Sequence, residues 1–415
     1  MFTEKSSCHG MLVIFISLCH ITTCVSKDTT LTMMRKFTSG EPVYNESKSI
    51  IPFHLQSHRI EVPVSLNGSE SVYRFLLDTG AMTWINEDLA VKLNLEKGEV
   101  ISTLRKDKSA TLTMVRSIRL GDMEVRNLII PRMDIGEIFN DSFQYDGFLG
   151  ADFLRFFSVT IDYEKRILTL ADASVTYDET DEWISIPMTS TLPMWFPYIQ
   201  GTLNDSINVP IMVDTGSPFA LVVPLSFEER LCSAVDMECV RSRGVFARWP
   251  STDPPCNIYA RLHSFRIGDH VVELLPTLLT DLPMMVNTPL MGMAFLDKYR
   301  LRLDFLEAIC HIQPVPGTYH ETNVYTRGVQ ILRANPDSVV IEGVWEGSPA
   351  DRNGVSPDGR VVHIQGIESA ELNDTTIDSI LADENIPFVT LGISEEQSVR
   401  EVQLPKDALF KAMNR

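Results

Sequence analysis

The most constraining feature of this chain is an internal duplication built around one heptapeptide. Phe-Leu-Leu-Asp-Thr-Gly-Ala at residues 75–81 recurs as Ile-Met-Val-Asp-Thr-Gly-Ser at residues 211–217. Three further matches follow in the same order. Ile-Arg-Leu-Gly-Asp at 118–122 recurs as Phe-Arg-Ile-Gly-Asp at 265–269, and Phe-Leu-Gly-Ala-Asp-Phe-Leu at 148–154 recurs as Leu-Met-Gly-Met-Ala-Phe-Leu at 290–296. Val-Thr-Ile-Asp-Tyr at 159–163 recurs as Leu-Arg-Leu-Asp-Phe at 301–305. The second copy follows the first by 136 to 147 residues each time, so a duplicated folding unit explains the pattern better than coincidence.

Both units contain short apolar or alternating runs separated by Gly-Asp or charged turns, which predicts β structure. In the first unit these runs span residues 72–77, 117–120, 125–130, 159–163 and 167–170. One short helix per unit is also expected. Asn86 can cap a helix over residues 87–95, and Pro224 can open a helix that continues through Leu231. The predicted fold class of the duplicated region is therefore mainly β.

Asp78 and Asp214 stand at the ends of two predicted strands, and each is followed by Thr and Gly. A glycine lets a second backbone approach closely and can donate its N–H to the carboxylate, while a threonine hydroxyl can bond to the opposite turn. Two carboxylates that face each other cannot both ionise cheaply, so they share a proton. The ionised member can then deprotonate a water while the protonated member polarises a carbonyl group. The structural alternative is an Asx turn at each strand end, with Thr and Gly present for turn geometry.

Residues 50 to about 313 resemble the retropepsin-like aspartic peptidases, here with both halves in one polypeptide as in the pepsin family. Asp-Thr-Gly-Ala at 78–81 is similar to the retroviral motif and Asp-Thr-Gly-Ser at 214–217 to the pepsin-like motif. The segments at 148–150 and 290–292 resemble the apolar-apolar-Gly stretch beneath each catalytic loop.

This resemblance implies a two-lobed acid-protease fold with a substrate cleft between the lobes. It implies peptide-bond hydrolysis by Asp78 and Asp214 without a cofactor or a metal, and flaps near residues 97–113 and 241–260. The residues that would support the catalytic loops are Thr79, Gly80, Ala81, Thr215, Gly216 and Ser217.

The fourth residue of the motif differs between the two copies. Ser217 has a hydroxyl that can donate to the Asp214 carboxylate, whereas Ala81 has none to offer Asp78. We therefore expect Asp214 to carry the negative charge and Asp78 the shared proton. Activity is then expected at a less acidic pH than that of a symmetrical pepsin-like pair.

A segment of different character follows a boundary rich in Pro, Gly, Thr and Asn at residues 314–326. Residues 326–405 resemble a PDZ domain of the bacterial exported-protease type, on Glu-Gly-Ser-Pro-Ala-Asp at 346–351, Gly-Val at 354–355 and Val-Val-His-Ile-Gln-Gly at 361–366. The resemblance implies a small α+β domain, and residues 374–382 are expected to form a helix. A peptide C-terminus would add a strand beside residues 329–332 and contact the helix near residues 377–381. A purely structural appendage is the alternative.

Composition bears on location and partners. A formal net charge of −19 argues against nucleic-acid binding, because a phosphate backbone would repel such a surface. Lys5 precedes an apolar run at residues 11–18 that is too short to span a bilayer, which predicts a cleaved export signal. The protein would then be periplasmic or secreted, or membrane-anchored if Cys24 carries a lipid.

The cysteines beyond the signal could form two disulfides in any of three pairings, or stay free: Cys232, Cys239, Cys256 and Cys310.

The predicted organisation is a signal peptide at 1–26, a linker or pro-segment at 27–49, lobe 1 at 50–171, an acidic linker at 172–182, lobe 2 at 183–313 and a PDZ domain at 326–405.

We interpret the chain as an aspartic-type endopeptidase acting on polypeptides, active as a monomer because one chain supplies both aspartates. The alternative is a catalytically inactive protease-like protein that binds peptides or serves as a scaffold. Asp162 and Asp304 are assigned to turns or strand edges, and the nine histidines lack metal-ligand spacing.

Overall fold

The computed structural model describes residues 37–411 except 57, 104–108, 137–144, 178–181, 192–193, 233–236, 248–253, 284–286, 336–337 and 396–397. The predicted signal peptide and Cys24 lie outside the described residues, as do parts of both predicted flaps and of the acidic linker. Among the described residues, no helix combines the length and the apolar character needed to cross a bilayer.

The fold is mainly β, with two closed six-stranded barrels. The strands of lobe 1 are β1 (Glu41–Tyr44), β2 (Lys48–Pro52), β3 (His54–Gln56), β4 (Arg59–Leu66), β5 (Val72–Asp78), β6 (Trp84–Asn86), β7 (Val100–Ser102), β8 (Ser109–Leu120), β9 (Met123–Met133), β10 (Gly147–Gly150), β11 (Ser158–Asp162) and β12 (Ile167–Ala171). Its helices are α1 (Glu87–Lys92) and α2 (Ala151–Leu154).

Lobe 2 repeats this order. Its strands are β13 (Ile184–Thr191), β14 (Phe196–Leu203), β15 (Ile207–Val213), β16 (Leu221–Pro224), β17 (Glu238–Gly244), β18 (Ile258–Ile267), β19 (His270–Thr280), β20 (Leu290–Met291), β21 (Tyr299–Asp304) and β22 (Ile309–Pro314). Its helices are a 3-10 turn (Leu225–Phe227), α3 (Glu228–Cys232) and α4 (Met293–Leu296). The helix expected after Pro224 is therefore confirmed.

Strand alternation builds the core of each barrel. In β4, Ile60, Val62, Val64 and Leu66 are completely buried, while the residues between them are exposed or half-buried. Successive side chains of a strand point to opposite faces, so one face of β4 fills the barrel.

A six-stranded antiparallel sheet joins the two lobes. Each lobe contributes three strands, in the order β2, β12, β11, β21, β22 and β13. At its centre β11 of lobe 1 pairs with β21 of lobe 2, where Ser158 lies opposite Asp304 and Ile161 opposite Leu301. The duplicated units are thus fixed to each other below the ends of the strands that carry Asp78 and Asp214.

A third domain follows lobe 2. Its strands are β23 (Tyr325–Thr326), β24 (Val329–Asn335), β25 (Ser338–Trp345), β26 (Arg360–Ile364), β27 (Ile367–Glu368), β28 (Phe388–Ser394), β29 (Val399–Pro405) and β30 (Asp407–Ala408). Its helices are α5 (Pro349–Arg352), a 3-10 turn (Ser369–Glu371) and α6 (Asp374–Ala382). The helix expected over residues 374–382 is confirmed. This domain has its own apolar core, so it is a separate folding unit, and its PDZ identity remains a prediction.

The segment 27–49, which the sequence predicts to be a linker or a pro-segment, contributes strands to lobe 1 over its described end. β1 pairs with β9, and β2 extends the sheet between the lobes from Lys48 onward. The carbonyls of Thr38 and Ser39 also accept hydrogen bonds from Arg155. Lobe 1 therefore begins before residue 50, because its barrel and the shared sheet both need these strands.

Helix α1 begins where expected but is shorter and capped differently. The Asn86 side chain makes no capping bond. Instead, buried Arg132 donates to both carboxylate oxygens of Glu87, at 2.8 and 2.9 Å, and holds the pKa of Glu87 down at about 2. The helix ends at Lys92 because the chain turns at Asn94, whose φ is +52°.

Among the described residues, the cysteines form one disulfide, between Cys232 and Cys239, and leave Cys256 and Cys310 free. Burial raises the pKa of the Cys310 thiol to about 12, so this cysteine acts as a core side chain. Asp162 and Asp304 have the predicted turn role, because each accepts backbone N–H bonds from the turn that follows it.

Candidate active site

Each motif aspartate lies at the end of a strand that is held by a parallel neighbour. Asp78 is the last residue of β5 and lies opposite Gly150 of β10. Asp214 follows β15, and its N–H donates to the carbonyl of Met291 in β20. The apolar-apolar-Gly segments therefore lie directly beside the two aspartates, as the repeat suggested.

The two Asp-Thr-Gly turns are locked together by their threonines. The backbone N–H of Thr79 donates to the Thr215 hydroxyl at 3.0 Å, and the N–H of Thr215 donates to the Thr79 hydroxyl at 3.0 Å. Each hydroxyl then donates to the opposite strand, Thr79 to the carbonyl of Val213 at 2.6 Å and Thr215 to that of Leu77 at 3.0 Å. Both side chains are completely buried, so the four bonds fix the separation of the loops.

The glycines let the carboxylates meet. The Gly80 and Gly216 N–H groups each donate to the carboxylate two residues earlier, both at 2.9 Å. A Cβ atom at Gly80 would lie 2.5 Å from Cγ of Asp214, and one at Gly216 would lie 2.3 Å from Oδ2 of Asp78. Each carboxyl group therefore lies against the glycine of the opposite loop, where no other residue leaves room.

Burial raises the pKa of both carboxyl groups, but not equally. The Asp78 pKa is raised well above its ordinary value by burial and then by the neighbouring Asp214. The Asp214 pKa is raised by burial, while N–H donors from Gly216 and Ser217 and a hydrogen bond from Asp78 act against the rise. The surroundings therefore favour the protonated form of Asp78 more strongly than that of Asp214.

The expected reason for this asymmetry is wrong. The Ser217 hydroxyl is buried and has no hydrogen-bond partner among the described residues. The backbone N–H of Ser217 donates to Asp214 instead, at 3.2 Å, because the turn directs the main chain toward the carboxylate. Ala81 serves as a backbone donor on the Asp78 side. The larger rise of the Asp78 pKa, caused by burial and by the neighbouring Asp214, therefore owes nothing to a bond from the Ser217 hydroxyl.

Sequence reasoning missed a contact that fastens the first catalytic loop. Asp152, in α2, is buried and accepts from the N–H of Thr83 at 2.8 Å and from its hydroxyl at 2.6 Å. The Thr83 hydroxyl in turn accepts from the N–H of Gly150 at 3.0 Å. The available signal was a break in the repeat, since Asp152 corresponds to Ala294 in the second copy.

Hairpins occupy the two segments in which flaps were expected. In lobe 1, β7 pairs with the start of β8, with Val100 opposite Thr111 and Ser102 opposite Ser109. In lobe 2, β17 pairs with β18. The residues at 104–108 and 248–253 lie outside the described part, so a gating role stays a prediction.

The described residues contain no group of three or more His, Cys, Asp or Glu side chains placed to hold a metal ion. The carboxyl pair is what the site offers for chemistry. Its two members are hydrogen-bonded to each other, and each lies against the glycine of the opposite loop.

The raised pKa of Asp78 predicts a pH-dependent stability. A carboxyl whose pKa is raised by folding contributes stability that is complete below its ordinary value of 3.8 and lost as the pH rises through the folded value. Replacing Asp78→Asn removes that loss. We expect D78N to exceed the wild type in free energy of unfolding at pH 7, because only the wild-type unfolded chain gains from ionising Asp78 there. The advantage should disappear near pH 3.5.

Denaturant unfolding of both proteins at several pH values measures this difference. D162N is the control, because Asp162 is a half-buried carboxylate at a strand end of the same lobe that accepts the N–H of Lys165 and lies outside the carboxyl pair. An advantage of D78N that keeps the same size at every pH would contradict the raised pKa.

Comparison with known proteins supports the character of this site. A family model described as aspartyl protease matches residues 62–153. The match begins in β4 and ends in α2, so it includes Asp78 and Asp152 but none of lobe 2. No curated protein matches the chain. The family match supports an aspartyl protease, and the two barrel-like lobes fit that kind of protein.

Proposed function

We propose that the protein is an aspartic endopeptidase that hydrolyses polypeptides with a water activated between Asp78 and Asp214. The observation that carries the proposal is the reciprocal threonine exchange, which holds one carboxyl from each lobe against the glycine of the other. A structural Asx turn at a strand end needs neither this pairing nor a second carboxyl.

We assign the acid role to Asp78 and the base role to Asp214, in line with the stronger rise of the Asp78 pKa. Asp214, as the charged member, removes a proton from the water, and the resulting hydroxide attacks the scissile carbonyl carbon. Asp78 donates its proton to the carbonyl oxygen, so the tetrahedral intermediate forms without a free oxyanion. Collapse breaks the C–N bond as Asp214 passes its proton to the leaving amine and one hydroxyl of the intermediate returns a proton to Asp78, which restores the starting pair. The raised Asp78 pKa extends the singly protonated state of the carboxyl pair toward higher pH. We therefore still propose that activity is optimal at a less acidic pH than that of a symmetrical pepsin-like pair.

Both carboxyl groups come from one chain, so we propose that the monomer is active and that no cofactor is required. Large apolar side chains from both lobes form a cluster near the two loops, among them Met82 and Leu112 of lobe 1 and Phe196 and Leu290 of lobe 2. Export to the periplasm or the exterior, with or without a lipid on Cys24, remains part of the proposal.

The third domain is proposed to dock a substrate or a partner through a peptide C-terminus. β24 pairs with β25 along one edge, and α6 packs beside it. Arg327 supports the loop before β24 by donating to the carbonyls of Leu381, Asp383, Ile386 and Leu404. A sheet edge with a supported loop and a helix beside it would suit strand addition by a peptide, because such a peptide makes its main-chain hydrogen bonds to a sheet edge.

The competing proposal is a catalytically inactive protein of protease-like fold that binds peptides or acts as a scaffold. One assay distinguishes the two proposals. The purified protein is incubated with a mixed peptide library between pH 3 and 7, with and without a statine-type inhibitor, and the products are identified by mass spectrometry. Internal cleavage that the inhibitor abolishes and EDTA leaves unchanged is the expected result. Binding of library peptides without cleavage at any pH would favour the inactive protein.

A further inference from the structure

The two lobes fasten their catalytic loops by different means. In lobe 1 the loop after Asp78 is held from within, by the buried Asp152 carboxylate on Thr83. In lobe 2 the helix position of Asp152 is taken by Ala294, so the same bond cannot form.

The loop in lobe 2 is also longer. Trp84 lies opposite Phe148 and follows Asp78 by six residues, whereas Val222 lies opposite Leu290 and follows Asp214 by eight. A longer loop without the internal carboxylate needs another support to hold its aspartate in place.

One side of the lobe 2 loop rests on lobe 2 itself. The N–H of Met293 donates to the carbonyl of Ser217 at 2.7 Å, and the N–H of Gly292 donates to that of Ala220 at 3.0 Å. On the other side, Phe219 packs against the apolar cluster near the two loops and also against a cluster made of Leu278, Trp345 and Leu409. We call this cluster the junction cluster. Two of its three members, Trp345 and Leu409, come from the third domain and its C-terminal end.

Trp345 is fixed in the junction cluster by aromatic contacts with lobe 2. Its side chain is 2% exposed, and its ring stacks on Phe246 at a centroid distance of 4.5 Å and lies 5.0 Å from the ring of Tyr259. Phe246 is itself held by Asn257, a completely buried residue whose side-chain oxygen accepts the Phe246 N–H at 2.6 Å. The tryptophan therefore has a single defined position.

A strand pairing between the two domains places Trp345 there. β17 of lobe 2 pairs with β25 of the third domain, with Ser242 opposite Trp345 and Gly244 opposite Gly343. A Cβ atom at Gly343 would lie 2.5 Å from the carbonyl oxygen of Val245. The close approach of the two strands thus requires glycine at this position. An ion pair between Arg243 and Asp351 at 2.7 Å also joins lobe 2 to the third domain here.

We infer that Trp345 is a positioning residue for Asp214: through the junction cluster and Phe219, the third domain gives the lobe 2 loop the support that Asp152 gives the lobe 1 loop. This inference rests on the proposed function for its catalytic consequence. The structural part, that Trp345 orders the loop, stands independently of peptidase activity. The third domain then acts on the active site indirectly, through the junction cluster, in addition to its proposed docking role.

The test compares W345A, the conservative W345F and the control F388A, which removes a half-exposed aromatic ring of the third domain away from the junction. We expect W345A to lower kcat about tenfold or more with KM changed by less than about twofold, because misplacing a catalytic group by a fraction of an ångström slows the chemical step. W345F should restore most of kcat, and F388A should match the wild type.

Hydrogen exchange supplies a readout that needs no activity. In W345A, exchange of the backbone amides at residues 215–223 should rise, while exchange at residues 75–84 should stay as in the wild type. Exchange in β26 and β28 reports whether the third domain remains folded. G343A is the second variant, since its added methyl group blocks the strand approach without cutting into the core of that domain.

Unchanged exchange at residues 215–223 in both W345A and G343A, with a folded third domain, would overturn the inference. If W345A unfolds the third domain, the G343A result decides. Wild-type protein that cleaves no peptide would remove the proposed function and leave the exchange result to judge the positioning role by itself.

Discussion

Replacing Asp214→Asn is expected to lower kcat/KM for peptide hydrolysis by about 10²–10⁴-fold, the range for losing one acid–base group. Asparagine keeps the size of the side chain and can still accept the N–H of Gly216, but it cannot take a proton from water. D78N should cause a loss of similar size, because the amide cannot deliver a proton to the carbonyl oxygen. Initial rates on a fluorogenic peptide chosen from the library products measure both effects.

D162N is the matched control for this experiment. Asp162 is also repeated in the second copy, as Asp304, yet its carboxylate serves a turn. Its replacement should leave kcat/KM within about twofold. Wild-type rates in D214N would remove the proposed mechanism. The double variant D78N/D214N should lose little more than either single variant, since the two groups act as a unit.

The second large effect is expected from the threonine pair. Thr79→Val keeps the shape of the side chain but leaves the carbonyl of Val213 and the N–H of Thr215 without their partner in a completely buried place. Each unsatisfied buried group costs roughly 1–3 kcal/mol, so T79V should lower the melting temperature clearly. It should also lower kcat/KM by about 10²-fold, because the two carboxyl groups lose their fixed separation.

T79S retains the hydroxyl and is the control for T79V. It should keep most of the activity and lose stability only through the missing methyl group. T215V should behave like T79V, since its hydroxyl makes the mirror-image bonds to Thr79 and Leu77. A T79V protein with wild-type activity and melting temperature would show that the lobes are held together by other contacts alone.

The junction between the domains changes how the third domain should be studied. Truncation after lobe 2 would expose Phe246 and Tyr259 and remove the support of Phe219, so a loss of turnover would not separate docking from positioning. Substitutions on β24 or α6 address docking without this effect, because β25 separates β24 from β17 in the sheet.

The sequence by itself determined the duplication, the β character of both units and the positions of Asp78 and Asp214 at strand ends. It did so because a strand leaves an alternating pattern and because Asp-Thr-Gly is informative when it occurs twice in register. The turn roles of Asp162 and Asp304 were accessible for the same local reason.

Only the tertiary structure decided how the two loops are supported and that the Ser217 hydroxyl takes no part in it. The Thr83–Asp152 bond joins residues that are 69 apart in the chain, and the contact of Phe246 with Trp345 joins two domains. The prediction for Ser217 was wrong because the direction of a hydroxyl depends on how the loop packs. The local motif Asp-Thr-Gly-Ser does not determine that packing. Burial, separation and orientation are set by contacts between distant segments, and these exist only after the chain has folded.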